Sequence, residues 1–229
     1  MSPVKSRNTA TNEPVRRLVV GISGASGAIY GIRMLEVLRA AGIETHLVMS
    51  KSAEMTIAYE TDLKAADVRK LADIVYPAAD VGAAIASGSF ATMGMVIAPC
   101  SIRSMSEIAT GVTSSLVTRA ADVTLKERRR LVLMLRETPL HSGHLRNMLA
   151  LSEMGAVIAP PVPAFYARPA SVADLVDHTI GRVLDLFFIE SDLVKRWGED
   201  APTARAPHQL KGRKKIRGRK KIRARNRTR

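Results

Sequence analysis

The 229-residue chain contains one cysteine, Cys100. It can form no intrachain disulfide and has no group of thiols for zinc, so no metal is expected, and a reducing cytoplasm suits it. Aromatic residues make up only 4% of the chain against 46% hydrophobic residues overall. That is the profile of a core packed with Ala, Val, Leu and Ile, as in α/β proteins, rather than of an aromatic-rich sandwich. No run approaches the roughly 18 uninterrupted apolar residues of a membrane-crossing helix, so no membrane span is expected. The first 16 residues hold Pro3, Glu13 and Pro14 and lack the apolar centre of a secretory signal; they read as a flexible N-terminus.

Acidic residues are missing at the other end. From Arg205 to Arg229 there are 13 Lys/Arg and no Asp/Glu, and GRKKIR occurs twice in tandem, at 212–217 and 218–223. A formal net charge of +14 would by itself suggest a nucleic-acid partner. Without the tail, 22 basic side chains face 21 acidic ones. The globular body is therefore nearly neutral, residues 201–229 read as a basic low-complexity tail without a packed core, and nucleic acid is not the expected partner.

Between these ends, residues 17–200 read as one domain. RLVVGI at 17–22 is a strand, followed by helical spacing of Ile32, Leu35 and Leu38 from about Ala28 to Ala41. THLVMS, ending at Ser50, is a second strand, and KSAEMTIAYE is a helix capped by Ser50. DIVYP around Ile74 is a short strand, and MGMVIAPC at 93–100 a buried one, with a helical stretch from Ser104 to Thr110. LVLMLRE at 131–137 repeats the theme. A helix from Ser142 to Met154 ends at Gly155 and leads into the strand AVIAP, and a last helix spans about 172 to 188. Short apolar strands alternating with helices imply an α/β, flavodoxin-like or Rossmann-like parallel sheet with helices on both faces. Such sheets bind ligands at the carboxyl ends of their strands.

Unusual residues follow the strands. GISGASGAIYG at 21–31 lets backbone approach a phosphate at a helix start, although close helix–strand packing would also explain its glycines. Ser50 and Lys51 open the second turn, and Glu60 ends the helix after it. APCSIRSMS presents Ser101, Arg103, Ser104 and Ser106 at a helix start; its plainer reading is a polar cap with Cys100 as a small core residue. Arg119, Lys126, Arg136 and Glu137 surround an apolar run, and basic residues at a strand mouth suit an anionic substrate. A solvated helix face explains KERRR alone. PPVPAFYARP holds Tyr166 in a proline-stiffened loop, Arg182 lies on the last helix, and Trp197 is the only tryptophan.

Taken in order, GISGASGAIYG, SK, ETD, SGS at 87–89, PCS, ATG, RAADV.LKERR.LVL, RE.P, H..NM..L...GA.I.P, FY..P, DLVD and RWGE resemble the UbiX flavin prenyltransferases, including the subunit associated with hydroxyarylic acid decarboxylases. The resemblance runs from about residue 17 to 200. It implies an enzyme that transfers a dimethylallyl group from dimethylallyl phosphate to N5 and C6 of reduced FMN. It also implies a homo-oligomer, commonly a dodecamer with sites where subunits meet, and delivery of prenylated FMN to a UbiD-type decarboxylase, with a place in ubiquinone biosynthesis. By the same resemblance FMN is held by Gly24, Ala25, Ser26, Ser50, the segment Ser101, Ile102, Arg103, Ser104, and Arg136. The donor phosphate is held by Tyr166 and Arg182, with Lys126 and Glu137 close by. Ser26 and Glu60 move protons around the flavin N5, and Arg119 and Trp197 are further site residues. SIRS departs from the smaller Ser-Thr-Gly-Thr-like turn expected at that point, and the basic tail lies outside the family pattern.

Two other readings are open to the residues. A flavoprotein that oxidatively decarboxylates a cysteine would share the fold and FMN, but it needs a catalytic His in an early helix and a PASANT-like segment, where this chain has PCSIRS. An anionic-polymer-binding module would rest on the tail alone, which has no interleaved aromatics.

Overall fold

A computed structural model describes residues 16–194 and Arg196. Six strands, β1 (Arg17–Ile22), β2 (Glu44–Met49), β3 (Ile74–Tyr76), β4 (Gly94–Cys100), β5 (Arg130–Leu135) and β6 (Val157–Ile158), form one sheet in the order β3-β2-β1-β4-β5-β6. Every pairing is parallel. Seven helices connect them: α1 (Ala28–Ala40), α2 (Lys51–Glu60), α3 (Ala65–Arg69), α4 (Ile102–Ala109), α5 (Leu116–Lys126), α6 (Ser142–Glu153) and α7 (Val172–Asp185).

The central strands β1, β4 and β5 are largely apolar because both faces are covered, whereas the edge strand β3 is largely exposed. Alternate residues of one strand enter different cores. Leu18, Val20 and Ile22 of β1, Val96 and Ala98 of β4, and Val132 and Met134 of β5 pack with α1, α2 and α7. Val19, Met95, Ile97, Leu131, Leu133 and Leu135 pack with α4, α5 and α6. Successive strands first build outward from β1 through β2 to β3, then return to β4 on the other side of β1 and continue to β6. The reversal between β1 and β4 leaves a crevice beyond their carboxyl ends, the ligand position of open α/β sheets.

The elements read from the sequence are present, with ends shifted by a residue or two; the last helix stops three residues early, at Asp185. Helix α5 has no counterpart in that reading; its apolar face of Leu116, Val117, Ala120, Ala121 and Val123 is followed by the charged run KERRR, which begins at its last residue, Lys126. Helix α3, Ala65–Arg69, likewise has no counterpart in that reading. Glycine is required at Gly31, where a Cβ would lie 2.3 Å from the Ala98 carbonyl oxygen; this lets α1 press onto β4. Among the described residues no helix is long and apolar enough to cross a membrane.

Candidate active site

A cavity of about 450 Å³ opens where β1, β2 and β4 end. Its wall includes Gly24 from the first turn, Ser50, Lys51 and Ser52 from the second, and Ser101, Arg103 and Ser104 from the third. Ser114 and Ser115, which precede α5, close another side.

Two helices begin at this wall. Ser50 caps α2, its oxygen accepting from the Ala53 N–H at 3.1 Å, and Ser101 caps α4, accepting from the Ser104 N–H at 3.2 Å. The plain capping role of both serines is therefore real, and it orients two positive helix ends toward one cavity. Gly24 has no room for a side chain, since a Cβ would come 2.3 Å from the Cβ of Ser52.

The N-terminus of α1 is different. Gly27 takes φ +99° and provides no side-chain cap; the Glu60 carboxylate accepts from the Gly27 N–H at 2.8 Å and the Ala28 N–H at 2.9 Å. Two of the N–H groups at this helix start are therefore already taken by Glu60. Burial pushes the Glu60 carboxyl up, but hydrogen bonds from the Ser26 hydroxyl and the Ala28 and Gly27 amides, with the Arg136 charge, hold it below its ordinary value. Ser26, Glu60 and Arg136 thus form one electrostatic group. Arg136 follows β5 and its N–H donates to the Cys100 carbonyl at 3.0 Å, fixing it beside the third turn. Glu137 next to it accepts from the Thr138 N–H at 3.0 Å.

Ser23, not singled out in the sequence, ties the turns together. Fully buried, it donates from Oγ to the Pro99 carbonyl at 2.8 Å and accepts from the Ser101 N–H at 2.7 Å. Only its position inside a Gly/Ser turn marked it. Arg103, in the departing SIRS segment, is exposed and pairs with Glu107 at 2.9 Å, while Ile102 is half-buried against the α4–α6 core. Glu107 also accepts from Ser114 at 2.6 Å. Burial raises its carboxyl, and the bonds from Ser114 and Arg103 more than offset that, so the group is held low. Cys100 is a core residue whose thiol burial pushes up to about 12.

The remaining residues lie apart from the cavity wall. Arg119 sits in the first turn of α5 and pairs with Asp122 at 2.9 Å. Lys126 ends α5 and therefore lies at the amino end of β5, a strand length from Arg136. The sequence placed both at one strand mouth; within this chain the fold separates them, because α5 runs antiparallel to the strand it precedes. Lys126 pairs with Glu127 beside the tight SGS turn, where a Cβ on Gly88 would lie 2.8 Å from the Lys126 Nζ. Tyr166 lies in the 3-10 turn Phe165–Ala167, and its hydroxyl meets His178 Nε2 at 3.1 Å. Arg182, one helical turn beyond His178 on α7, pairs with Asp185 at 2.6 Å. Trp197 and the basic tail lie outside the described residues. Among the described residues no three His, Cys, Asp or Glu side chains gather as a metal site.

A parallel sheet with serine-capped helix ends around a crevice at its strand reversal defines a nucleotide-phosphate-binding α/β protein. A family model described as Flavoprotein matches residues 6–184. The flavin prenyltransferase UbiX of Thauera aromatica is 59% identical over 181 residues, which cover 79% of this chain and 93% of that protein. The probable UbiX-like flavin prenyltransferase of Bacillus subtilis is 55% identical, covering 79% and 89%. Crystalline AnUbiX, in complex with FMN and dimethylallyl pyrophosphate, superposes with a TM-score of 0.79 at 52% identity, covering 80% of this chain and 98% of its own. A protein described as a dodecameric FMN-dependent UbiX-like decarboxylase, from Escherichia coli O157:H7, gives 0.77 at 51% identity, covering 79% and 98%. The chain belongs to the Flavoprotein family and, within it, to the UbiX flavin prenyltransferases. The FMN-dependent cysteine decarboxylase TvaF shares only the fold, at 20% identity and a TM-score of 0.53.

Proposed function

We propose that the protein is a flavin prenyltransferase that transfers the dimethylallyl group of dimethylallyl phosphate to N5 and C6 of reduced FMN. The observation that carries this reading is the cavity at the β1–β4 reversal, where two capped helix ends and the close-packed Gly24 meet; two residues beyond Gly24, Ser26 is linked to Glu60 and Arg136. Membership of the UbiX family turns a general phosphate site into this chemistry. The residues present fit FMN: Gly24, Ala25, Ser26, Ser50, Ser101, Ile102, Arg103 and Ser104 supply backbone and hydroxyl groups, and Arg136 a cation. Reduced FMN, when bound, supplies the nucleophilic N5 and C6.

The chain's own groups do the rest. Glu60, kept ionised, holds the Ser26 hydroxyl by accepting its proton in a hydrogen bond, and so Ser26 Oγ and Glu60 form a route for a proton leaving the reacting nitrogen. Cleavage of the allylic C–O bond leaves negative charge on phosphate, which Tyr166 and Arg182 stabilise, with Glu137 close by. Lys126 joins them from a neighbouring protomer, since its own chain keeps it at the far end of the sheet. Arg119 and Trp197 complete the site. The active enzyme is on this reading a homo-oligomer, a dodecamer like the Escherichia coli relative, and it works in the cytoplasm. Residues 17–200 form the catalytic domain, and residues 1–16 and 201–229 are appendages. Prenylated FMN then passes to a UbiD-type decarboxylase. Anaerobic incubation with reduced FMN and dimethylallyl phosphate or diphosphate, followed by flavin mass spectrometry, tests the activity. Recovery of unmodified FMN alone with both donors refutes it.

A further inference from the structure

Tyr166 belongs to a short turn rather than to a regular element. The turn Phe165–Ala167 ends at Arg168 with φ +50°, and the phenol is half exposed. Between this loop and α7 lies a cavity of about 230 Å³, lined by Ala164, Ala167, Pro169, Leu175 and His178 among others. Apolar packing therefore does not seat the loop closely on the helix. The Tyr166 hydroxyl nevertheless meets His178 Nε2 at 3.1 Å, with the two rings edge to face at 5.5 Å and 84°.

His178 is itself held firmly. It is 7% exposed on a helix anchored in the core by Val176, Ile180, Val183 and Leu184. The helix is capped by Ser171, which accepts from the Asp174 N–H, and Arg33 grips Asp177, the residue beside His178, through 2.6 Å and 3.2 Å bonds. The imidazole is thus a fixed point and the phenol a group on a loop.

We infer that His178 is a positioning residue that sets the Tyr166 phenol for the phosphate of the allyl donor; this rests on the proposed contact between Tyr166 and that phosphate. Proton inventory fixes the direction. A phosphate oxygen offers only lone pairs, so the phenol must give it its single O–H and turn its own oxygen lone pair to His178. His178 must then donate from Nε2–H. The opposite tautomer would draw the phenol proton to the imidazole and aim oxygen lone pairs at the phosphate. Arg182 lies four residues along the same face of α7, so the helix that fixes the phenol also carries the guanidinium. Losing the tether removes one of the contacts that order the phenol before the donor binds, a cost that falls on donor affinity.

The test is a double-mutant cycle in the full-length enzyme, reading KM for dimethylallyl phosphate, kcat and FMN affinity. His178→Phe keeps the ring and removes the donor; it raises donor KM about three- to tenfold, with FMN affinity unchanged. His178→Gln, whose amide nitrogen reaches about as far as Nε2, restores KM, and His178→Asn, which is too short, does not. In a Tyr166→Phe background His178→Phe adds nothing, because the hydroxyl it serves is gone. Should His178→Phe fail to assemble, the Gln and Asn pair gives the same comparison. A raised KM in Tyr166→Phe with normal KM in both His178→Phe and His178→Asn, or additive losses in the double variant, overturns the role of His178 alone. An unchanged KM in Tyr166→Phe removes the phosphate contact and the inference together.

Discussion

Ser23→Ala deletes one oxygen atom at the centre of the site and is the sharpest probe of how the turns are held. The wild-type hydroxyl is fully buried and makes two short bonds, to the Pro99 carbonyl and from the Ser101 N–H. Pro99 retains a partner, the Ser23 N–H at 3.2 Å, whereas among the described residues no other acceptor replaces Oγ for the Ser101 N–H. A buried donor left unpaired costs about 1 to 3 kcal/mol, and the second bond contributes about 1 kcal/mol net, so the substitution destabilises by roughly 2 to 4 kcal/mol. For a domain of this size that lowers Tm by roughly 4 to 16 °C. Ser101 also starts α4, so the turn must be re-formed when FMN binds. If about half of the lost energy falls on that step, FMN affinity drops about five- to thirtyfold. Differential scanning fluorimetry and FMN titration by fluorescence quenching read both quantities, with exposed Thr110→Ala as a control expected to stay within about 0.5 kcal/mol. A Tm within about 2 °C of wild type, together with normal FMN affinity, refutes the claim that Ser23 locks the first turn to the third.

Other substitutions separate other roles. Glu60→Gln retains FMN binding but stalls turnover, because an amide can still accept from Gly27 and Ala28 but cannot take up a proton; a loss of FMN affinity with normal chemistry in the remaining holoenzyme contradicts this. The folded-state pKa of Glu60 lies below its ordinary 4.5, so its stabilisation is full above that pH and is lost as pH falls through the lower folded value. The acid limb of a wild-type Tm profile should therefore be flatter in Glu60→Gln, and identical limbs argue against it. Arg182→Ala raises donor KM roughly ten- to a hundredfold and spares FMN binding, while Arg136→Ala does the reverse; equal loss of FMN binding in both rejects the division. Co-expressed Lys126→Ala and Glu60→Gln chains recover activity in mixed oligomers if Lys126 serves a neighbour's site, and no recovery in verified mixed oligomers excludes it. Truncation before Arg205 leaves the prenylation rate unchanged, and a large loss with the oligomer intact shows that the tail reaches the site.

The sheet was legible because its central strands β1, β4 and β5, buried on both faces, are nearly unbroken apolar runs. Ser50 and Ser101 were legible as caps because each is a small polar residue where a strand ends. Lys126 was misplaced because linear proximity to Arg136 hides the antiparallel course of α5, which carries the two to opposite ends of β5. The use of Glu60 to cap α1 was hidden as well, since the carboxylate and the amides it serves are 32 and 33 residues apart and no periodicity links them. Ser23 looked like one more small residue in a flexible turn. Its burial arises only when β1 and β4 lie side by side.

That pairing has a kinetic consequence. Ser23 and its partners Pro99 and Ser101 are separated by 76 and 78 residues, and the β1–β4 contact brings them together. Contacts so distant in sequence form late, because a long loop must close before they gain anything. The flavin cleft therefore does not exist in a chain that has folded only its amino-terminal βαβ unit. FMN can recognise only molecules that have closed the central strand pair, so it withdraws completed chains from the folding equilibrium. At a free concentration of 100 times its dissociation constant, that bias amounts to about 2.7 kcal/mol. Flavin supply during synthesis would then govern the yield of native enzyme as well as its activity.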